Sequence, residues 1–289
     1  MVNSRLSDSG GSRNIQAVLA HLRSNPKIVI LLGRLSMLGS ESGCNRAMVE
    51  RVLSQDNQAN SRTCEALSAG MFSEPGLTYI SIPQAIDSLG LAIVSYAAQT
   101  MTVVAISQNL APPSGLDPFS FSRHAFATSG ATAVLAAPHK IEARRALTAG
   151  LVHNFGILFS AAAFPEDYKR LASVLQGETT QLQVAERQRL GFDHQDAARL
   201  VLPAFGFEPD IVSAAAEHHR APESLSPLSK CVGMASLMSD QLGSTVGIGS
   251  GAPDMDQKAI EAYGFSETQL ELAANSVSES ISRMSRRQS

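Results

Sequence analysis

Apolar residues recur at intervals of three and four along almost the whole chain, and this spacing limits the fold more than any other feature. Ile15, Val18, Leu19 and Leu22 form the first such group, and the interval places them on one face of an α-helix. No convincing alternation of apolar and polar residues marks a half-buried strand, although residues 77–82 could be briefly extended. The sequence therefore predicts an all-α fold.

Breaks in this periodicity predict the organisation of the chain. The first residues are polar and rich in Ser and Gly, and the segment Ala111-Pro112-Pro113-Ser114-Gly115 has the composition of a linker. A Gly-rich loop begins at Gly243, and helical periodicity returns after it. We expect a disordered tail, one two-lobed helical domain, and a flexible loop with C-terminal helices: residues 1–13, 14–242 (lobes at about 14–110 and 116–242) and 243–289.

Charge and composition argue against several classes of protein. A net charge of -3 gives no electrostatic basis for nucleic acid as the main partner. The longest apolar stretch, 89–106, contains polar residues such as Gln99, which favours a buried core helix and no membrane span. Cys44, Cys64 and Cys231 are widely spaced and odd in number, which is typical of reduced thiols in a cytoplasmic protein.

Five of the seven histidines of the chain occur at positions that suggest a shared site. They are His124, His153, His194, His218 and His219. Each alone is more simply a buried histidine bonded to the backbone. Imidazoles on separate inward-facing helices can nevertheless converge on a metal ion. The set therefore predicts convergence in space, which does not by itself establish metal binding.

The order of these histidines resembles the HD superfamily of metal-dependent phosphohydrolases, and most closely its HDOD branch, the HD-related output domain. Four segments resemble motifs of that family. They are residues 81–90 (S-I-x-x-A-I-x-x-L-G), 149–156 (A-G-L-L-H-D-I-G), 193–198 (the H-x-x-x-G-A-x-L helix) and 206–219 (L-P-x-x-I-x-x-A-I-x-x-H-H). Each motif is weak alone, but together they span about residues 16–242 in the family's order.

The resemblance implies an all-helical domain of two lobes and a bacterial regulatory role, often without demonstrable hydrolase activity. The chain departs from the family where the chemistry would lie. Asn154 follows His153 where the family has Asp, and Ser236 stands where a further Asp is expected. Because these carboxylates hold the metals that activate the attacking water, we expect weak or absent binding of a divalent metal. Whether Asp240, one helical turn beyond Ser236, or another nearby acid replaces them stays open.

Three functions are compatible with these residues. We favour a non-catalytic bacterial signalling module that acts through protein partners, with no catalytic residue and no cofactor. The alternatives are a residual metal-dependent phosphohydrolase and a sensor that binds a nucleotide without cleaving it. In each case the predicted vestigial pocket consists of His124, His153, Asn154, His194, His218, His219 and Ser236. Any metal would bind to its five histidines.

Overall fold

The computed structural model describes residues 13–40, 44–73, 76–175, 182–248 and 257–285, and all regular structure in them is helical. The predicted all-α class is confirmed. The first six helices are α1 (Gln16–Arg23), α2 (Pro26–Gly39), α3 (Arg46–Ser54), α4 (Asn57–Ser68), α5 (Ile82–Leu89) and α6 (Leu91–Leu110). The next five are α7 (Pro118–Ala136), α8 (Ala143–Val152), α9 (Phe155–Ala163), α10 (Pro165–Leu175) and α11 (Leu182–Leu190). The last five are α12 (His194–Ala204), α13 (Pro209–Glu217), α14 (Pro227–Gln241), α15 (Gln257–Tyr263) and α16 (Glu267–Ser285).

Side-chain caps explain where many of these helices begin. Asn25 accepts a hydrogen bond from the backbone N–H of Ile28, and Pro26 occupies the first position of α2. Asp193 caps α12 in a reciprocal capping box with Asp196. Such caps satisfy backbone donors that the first turn leaves without partners. Helix starts are therefore encoded by short local patterns.

Buried apolar side chains of the described residues form three clusters, and the division between the two larger ones, a large cluster and a smaller N-terminal one, does not follow residues 111–115. Val94 and Ala97 of α6 belong to the smaller cluster, whereas Val103 and Ile106 of the same helix belong to the larger. Val18 of α1 also lies in the larger cluster. The long helix α6 thus joins the two clusters, and the start of the chain packs with the second half.

Both ends of the chain differ from the sequence expectation where the structure describes them. Residues 1–12 and 249–256 lie outside the described residues. Arg13, expected in a disordered tail, donates its backbone N–H to Leu190 O at 2.8 Å. Ala273 and Val277 of α16 are fully buried, because this helix packs its apolar face along α7. The C-terminal helix is therefore part of the core.

A buried amide links three helices between the clusters. The Gln99 side chain of α6 donates to Leu38 O of α2 at 3.3 Å and accepts from Thr148 Oγ1 of α8 at 2.7 Å. A Cβ atom on Gly39 would lie 2.6 Å from Thr148 Cγ2, so only glycine allows this approach of α2 to α8. The polar link thus forms beside a close approach of α2 to α8.

Among the residues that the structure describes, two segments are long and apolar enough to cross a membrane by length and composition alone, α6 and the span 143–163. Their apolar windows are 67% and 89% buried inside the protein. Burial of this kind is what core helices of a soluble protein show, and it agrees with the sequence interpretation of the apolar stretch in α6.

Candidate functional site

The structure brings the five histidines singled out from the sequence together in one continuous cluster. The ring centroids of His124 and His153 lie 5.1 Å apart, and those of His153 and His218 also lie 5.1 Å apart. His219 lies 4.0 Å from His218 and 5.1 Å from His194. All except His219 are buried. Residues from α7, α12 and the ends of α8 and α13 therefore meet in a pocket with one exposed edge.

The turn that carries His153 and Asn154 lies between α8 and α9. The break between these helices falls at His153 and Asn154, and Gly156 lies inside α9. A Cβ atom on Gly156 would lie 1.8 Å from His194 O. Glycine is needed here for contact with the first turn of α12, and this contact brings His194 to the pocket.

Glu186 holds His194 in place, although no motif in the sequence marks it. Glu186 Oε2 lies 2.6 Å from His194 Nδ1 and accepts from the His194 backbone N–H at 2.9 Å. Its other oxygen accepts a hydrogen bond from the Tyr168 hydroxyl. The Glu186 side chain is fully buried. A carboxylate on Nδ1 directs Nε2 of the ring into the pocket, as in metal sites where an acid orients a histidine ligand.

Three of the histidines present nitrogen atoms to a common point. The ligand atoms of His194, His218 and His219 all lie within 4.8 Å of one another. His218 Nδ1 donates to Ala215 O at 3.0 Å, which leaves Nε2 for the pocket. The Nε2 atoms of His194 and His218 are buried without a hydrogen-bond partner among the described residues. This arrangement fits one cation that prefers imidazole, such as Zn²⁺.

The imidazoles at the centre of the cluster are in the protonation state that suits a metal ligand. Burial, together with the neighbouring imidazoles, holds the pKa of His153 and of His218 well below the usual histidine value. Burial also acts to lower the pKa of His194, but the Glu186 carboxylate and then Asp193 outweigh it and raise that pKa. His153 and His218 are therefore neutral at pH 7, which is the form that binds metal.

His124 lies at the other end of the cluster. Its Nε2 is 3.2 Å from His153 Nε2 and 3.5 Å from Ser236 Oγ. Its Nδ1 contacts Ser244 O and lies 3.4 Å from Asp240 Oδ1. Asp240 therefore lies behind the ring, away from the other imidazoles, whereas Ser236 lies on the side that faces them. The hydrogen bond of His124 Nδ1 goes to Ser244 O, and the Asp240 carboxylate lies beside that bond.

Asn154 contributes no charge to the pocket. Its side chain is buried, and its Oδ1 has no hydrogen-bond partner among the residues that the structure describes. Two other acids near the pocket, Asp193 and Glu217, are paired with arginines. Asp193 pairs with Arg187 at 2.8 Å, and Glu217 lies 3.5 Å from an Arg220 nitrogen. Within the described part of the chain, the metal-binding group thus contains imidazoles alone.

Comparisons with known proteins agree with this architecture. The HDOD domain family model matches residues 26–221. The structure is similar to an HDOD domain protein of unknown function from Geobacter sulfurreducens, with a TM-score of 0.72 and 16% identity over 95% of this chain and 97% of that one. It is also similar to a candidate phosphohydrolase from Shewanella amazonensis SB2B, with a TM-score of 0.70 and 18% identity over 93% and 97% of the two chains.

A candidate signal transduction protein from Marinobacter aquaeolei VT8 has a TM-score of 0.70 and 19% identity, over 98% of this chain and 64% of that one. Comparison with curated protein sequences gave no match. At these identities the solved structures establish the fold alone. The family match covers most of the chain, and the motif order and the histidine cluster agree with it. The chain belongs to the HDOD family.

Proposed function

We propose that this protein is a non-catalytic regulatory module that acts through protein partners. The observation that carries the proposal is the composition of the pocket. Asn154 and Ser236 stand where the resemblance to HD hydrolases expects carboxylates, and the metal-binding group among the described residues consists of His194, His218 and His219. The pocket keeps its shape and its histidines without the acids of a hydrolase.

The physical argument rests on charge. A pair of divalent cations that clamps a phosphoester needs anionic ligands beside it, and hard cations such as Mg²⁺ and Mn²⁺ prefer oxygen ligands. The Asn154 amide is neutral, and Ser236 offers a hydroxyl. Buried charge without compensation costs several kcal/mol per ion. Two metal ions in this pocket would therefore be strongly disfavoured.

A hydrolysis assay on the full chain tests the absence of catalysis. Bis(p-nitrophenyl) phosphate and a cyclic dinucleotide would be supplied with Mn²⁺, Fe²⁺ or Zn²⁺ in turn. We expect the wild-type rate to equal that of His194→Ala under every condition. Turnover by the wild type that disappears in both His194→Ala and His218→Ala would overturn the proposal.

The partner half of the proposal needs its own experiment. The full chain carrying a photo-crosslinker at one exposed position at a time would be expressed in bacterial cells, and crosslinked proteins would be identified by mass spectrometry. We expect one signalling protein to be captured from a contiguous set of positions. Crosslinks spread evenly over the surface and over abundant proteins would contradict a specific partner.

A mononuclear metal-dependent hydrolase is a second candidate, favoured by one specific observation. Glu186 orients His194 through its Nδ1, and the three imidazoles of His194, His218 and His219 converge. Three histidines and an open position are a known catalytic arrangement for zinc. A zinc ion held there would supply Lewis acidity and a nucleophilic water near neutral pH.

Zinc stoichiometry separates the two candidates independently of activity. The protein would be purified without an affinity metal or chelator, and its metal content would be measured. One zinc ion per wild-type chain would favour the hydrolase candidate, provided that His218→Ala loses it. Glu186→Gln should bind zinc 10- to 100-fold more weakly, since it removes the acid that supports a metal ligand. Less than one zinc ion per chain would exclude the hydrolase candidate and favour the non-catalytic module. The nucleotide-sensor hypothesis stays a prediction, to be tested by nucleotide titration.

A further inference from the structure

A second cavity lies in the N-terminal part of the protein, between α2, α4 and α6. Its volume is about 340 Å³, and it shares no residue with the histidine pocket. Its lining includes the apolar residues Leu31, Ala98 and Met101, all of which are buried. Lys27, Arg62 and Gln108 supply polar groups to the same cavity. We call this cavity the α2–α6 groove.

The groove has an excess of positive charge. Lys27, Arg34 and Arg62 line it, and Asp56 is its one carboxylate among the described residues. The lining thus carries two more positive than negative charges, although the chain as a whole has a net charge of -3. Positive charge concentrated in a cleft with apolar walls attracts anions more strongly than the same charge on an open surface.

Arg34 is the residue that distinguishes this groove from an ordinary gap between helices. Its side chain is only 7% exposed, and its Nη2 donates to Asp56 Oδ2 at 2.8 Å. A guanidinium has five N–H donors in a planar fork, and Asp56 is its only acceptor among the described residues. A buried arginine with spare donors beside a cavity provides an anion site on the groove wall.

Arg62 is held at the groove by a neutral partner. Its Nη1 donates to Gln108 Oε1 at 3.2 Å, so the guanidinium is positioned without being neutralised. Arginine forks match the paired oxygens of carboxylates and phosphates. The polar part of the groove therefore suits an anion, and the buried apolar lining suits a hydrocarbon.

We propose that the α2–α6 groove binds a small amphipathic anion, in which a carboxylate or phosphate group is joined to a short apolar body. The volume lies near the lower end of the range of small-molecule sites, which fits one short chain or ring. The anionic group pairs with Arg34 and Arg62, and the apolar body covers Leu31 and Met101. This site is separate from the histidine pocket and does not depend on metal binding there.

Calorimetric titration of the full chain tests the proposal with four probes that share one apolar chain. Octanoate and octyl phosphate carry the two kinds of anion, octanol is neutral, and octylammonium is a cation. We expect saturable 1:1 binding of one or both anions, at least tenfold tighter than binding of octanol or octylammonium. The ratio between the two anions identifies whether the natural ligand is a carboxylate or a phosphate.

Variants locate the binding. Arg62→Ala should weaken anion binding at least tenfold, and Ala105→Phe should abolish it, because Ala105 lines the groove. Arg51→Ala removes one exposed positive charge outside the groove and should leave binding unchanged. His219→Ala, at the exposed edge of the histidine pocket, should also leave it unchanged.

Several outcomes overturn the proposal. The proposal is wrong if the two anions bind no more tightly than octanol. It is also wrong if neither Arg62→Ala nor Ala105→Phe weakens anion binding. Binding lost in His219→Ala but kept in Ala105→Phe would place the ligand in the histidine pocket. If Ala105→Phe does not fold, as judged by circular dichroism, the comparison of Arg62→Ala with Arg51→Ala decides the question.

Discussion

Gly156 and His194 are in backbone contact: a Cβ atom on the glycine would lie 1.8 Å from the carbonyl oxygen of the histidine. The contact joins the first turn of α9 to the first turn of α12. It fixes the distance between the turn that carries His153 and Asn154 and the ring of His194. The pocket geometry thus depends on a residue that contributes no side chain.

Gly156→Ala should therefore destabilise the protein strongly. The added methyl group would overlap a backbone carbonyl oxygen, which has no rotamer by which to move away, so we expect a loss of about 3 kcal/mol or more, within the range of severe overpacking. Urea denaturation followed by circular dichroism measures the loss.

Gly33→Ala is the matched control. Gly33 lies within α2, and no atom lies within 4 Å of the position that its Cβ would occupy. Alanine should stabilise the helix at this position by about 0.5–1 kcal/mol. Equal effects of the two substitutions would contradict the role given to the Gly156 contact.

Glu186→Ala should also destabilise the fold. It would leave the Tyr168 hydroxyl and the Nδ1 and backbone N–H of His194 without their acceptor. Removing one partner of a buried, bonded pair costs about 3–5 kcal/mol. Glu166→Ala, at a side chain that is 76% exposed and paired with Lys169, should change stability by less than about 0.5 kcal/mol. A small effect of Glu186→Ala in chemical denaturation would show that this carboxylate does not support the pocket.

Asn154→Asp should make the stability of the protein depend on metal. An unpaired buried carboxylate costs several kcal/mol, so the variant should unfold at a lower temperature than the wild type in EDTA. Mn²⁺ should reverse this loss, since the cation would pair with the new charge, and it should leave the wild type unchanged.

Thermal unfolding of Asn45→Asp provides the control for that experiment. Asn45 is the exposed N-cap of α3, and Asp caps a helix about as well as Asn. Its unfolding temperature should not respond to Mn²⁺. If the wild type responds to Mn²⁺ as Asn154→Asp does, the missing charge at residue 154 does not limit metal binding.

Asp56 should make stability sensitive to acid. Burial raises the pKa of its carboxyl, but the hydrogen bond from the Ala59 N–H and the pairing with Arg34 outweigh burial, so that the pKa lies below its usual value. A lowered pKa in the folded state stabilises the protein above about pH 4, the unfolded value. That contribution is lost as pH falls through the folded pKa.

Asp56→Asn keeps the cap of α4 and removes the charge. The wild type should be more stable than this variant at pH 7, by about 1 kcal/mol at most, because 34% of the side chain is exposed and water screens the pair. The difference should shrink in urea denaturation below pH 4. A difference that stays constant from pH 7 to pH 3 would exclude the ion pair as its cause.

The helices could be predicted from the sequence because their signals are local. The helix from His194 to Ala204, for example, begins at a capping box that Asp193 and Asp196 form within four residues. The histidines that meet in the pocket could be chosen from their order along the chain. Local patterns thus indicated where helices begin, and the order of the histidines indicated which of them cluster.

Glu186 could not be predicted in the same way. Its role comes from the packing of α11 against α12, and a glutamate eight residues before a histidine is not a recognisable pattern. The position of Asp240 relative to the His124 ring is likewise a matter of tertiary geometry. The contribution of α16 to the core was also missed, because burial on α7 depends on contacts distant in sequence.

The Gln99 amide has a mechanical consequence. Sliding α2 or α8 past α6 would break its bonds to Leu38 and Thr148, and stranded buried polar atoms cost about 1–3 kcal/mol each. The bonds of Gln99 therefore favour one register of the three helices. Because α2 and α6 also line the α2–α6 groove, one buried amide connects the helices of that groove to the helix that ends next to His153.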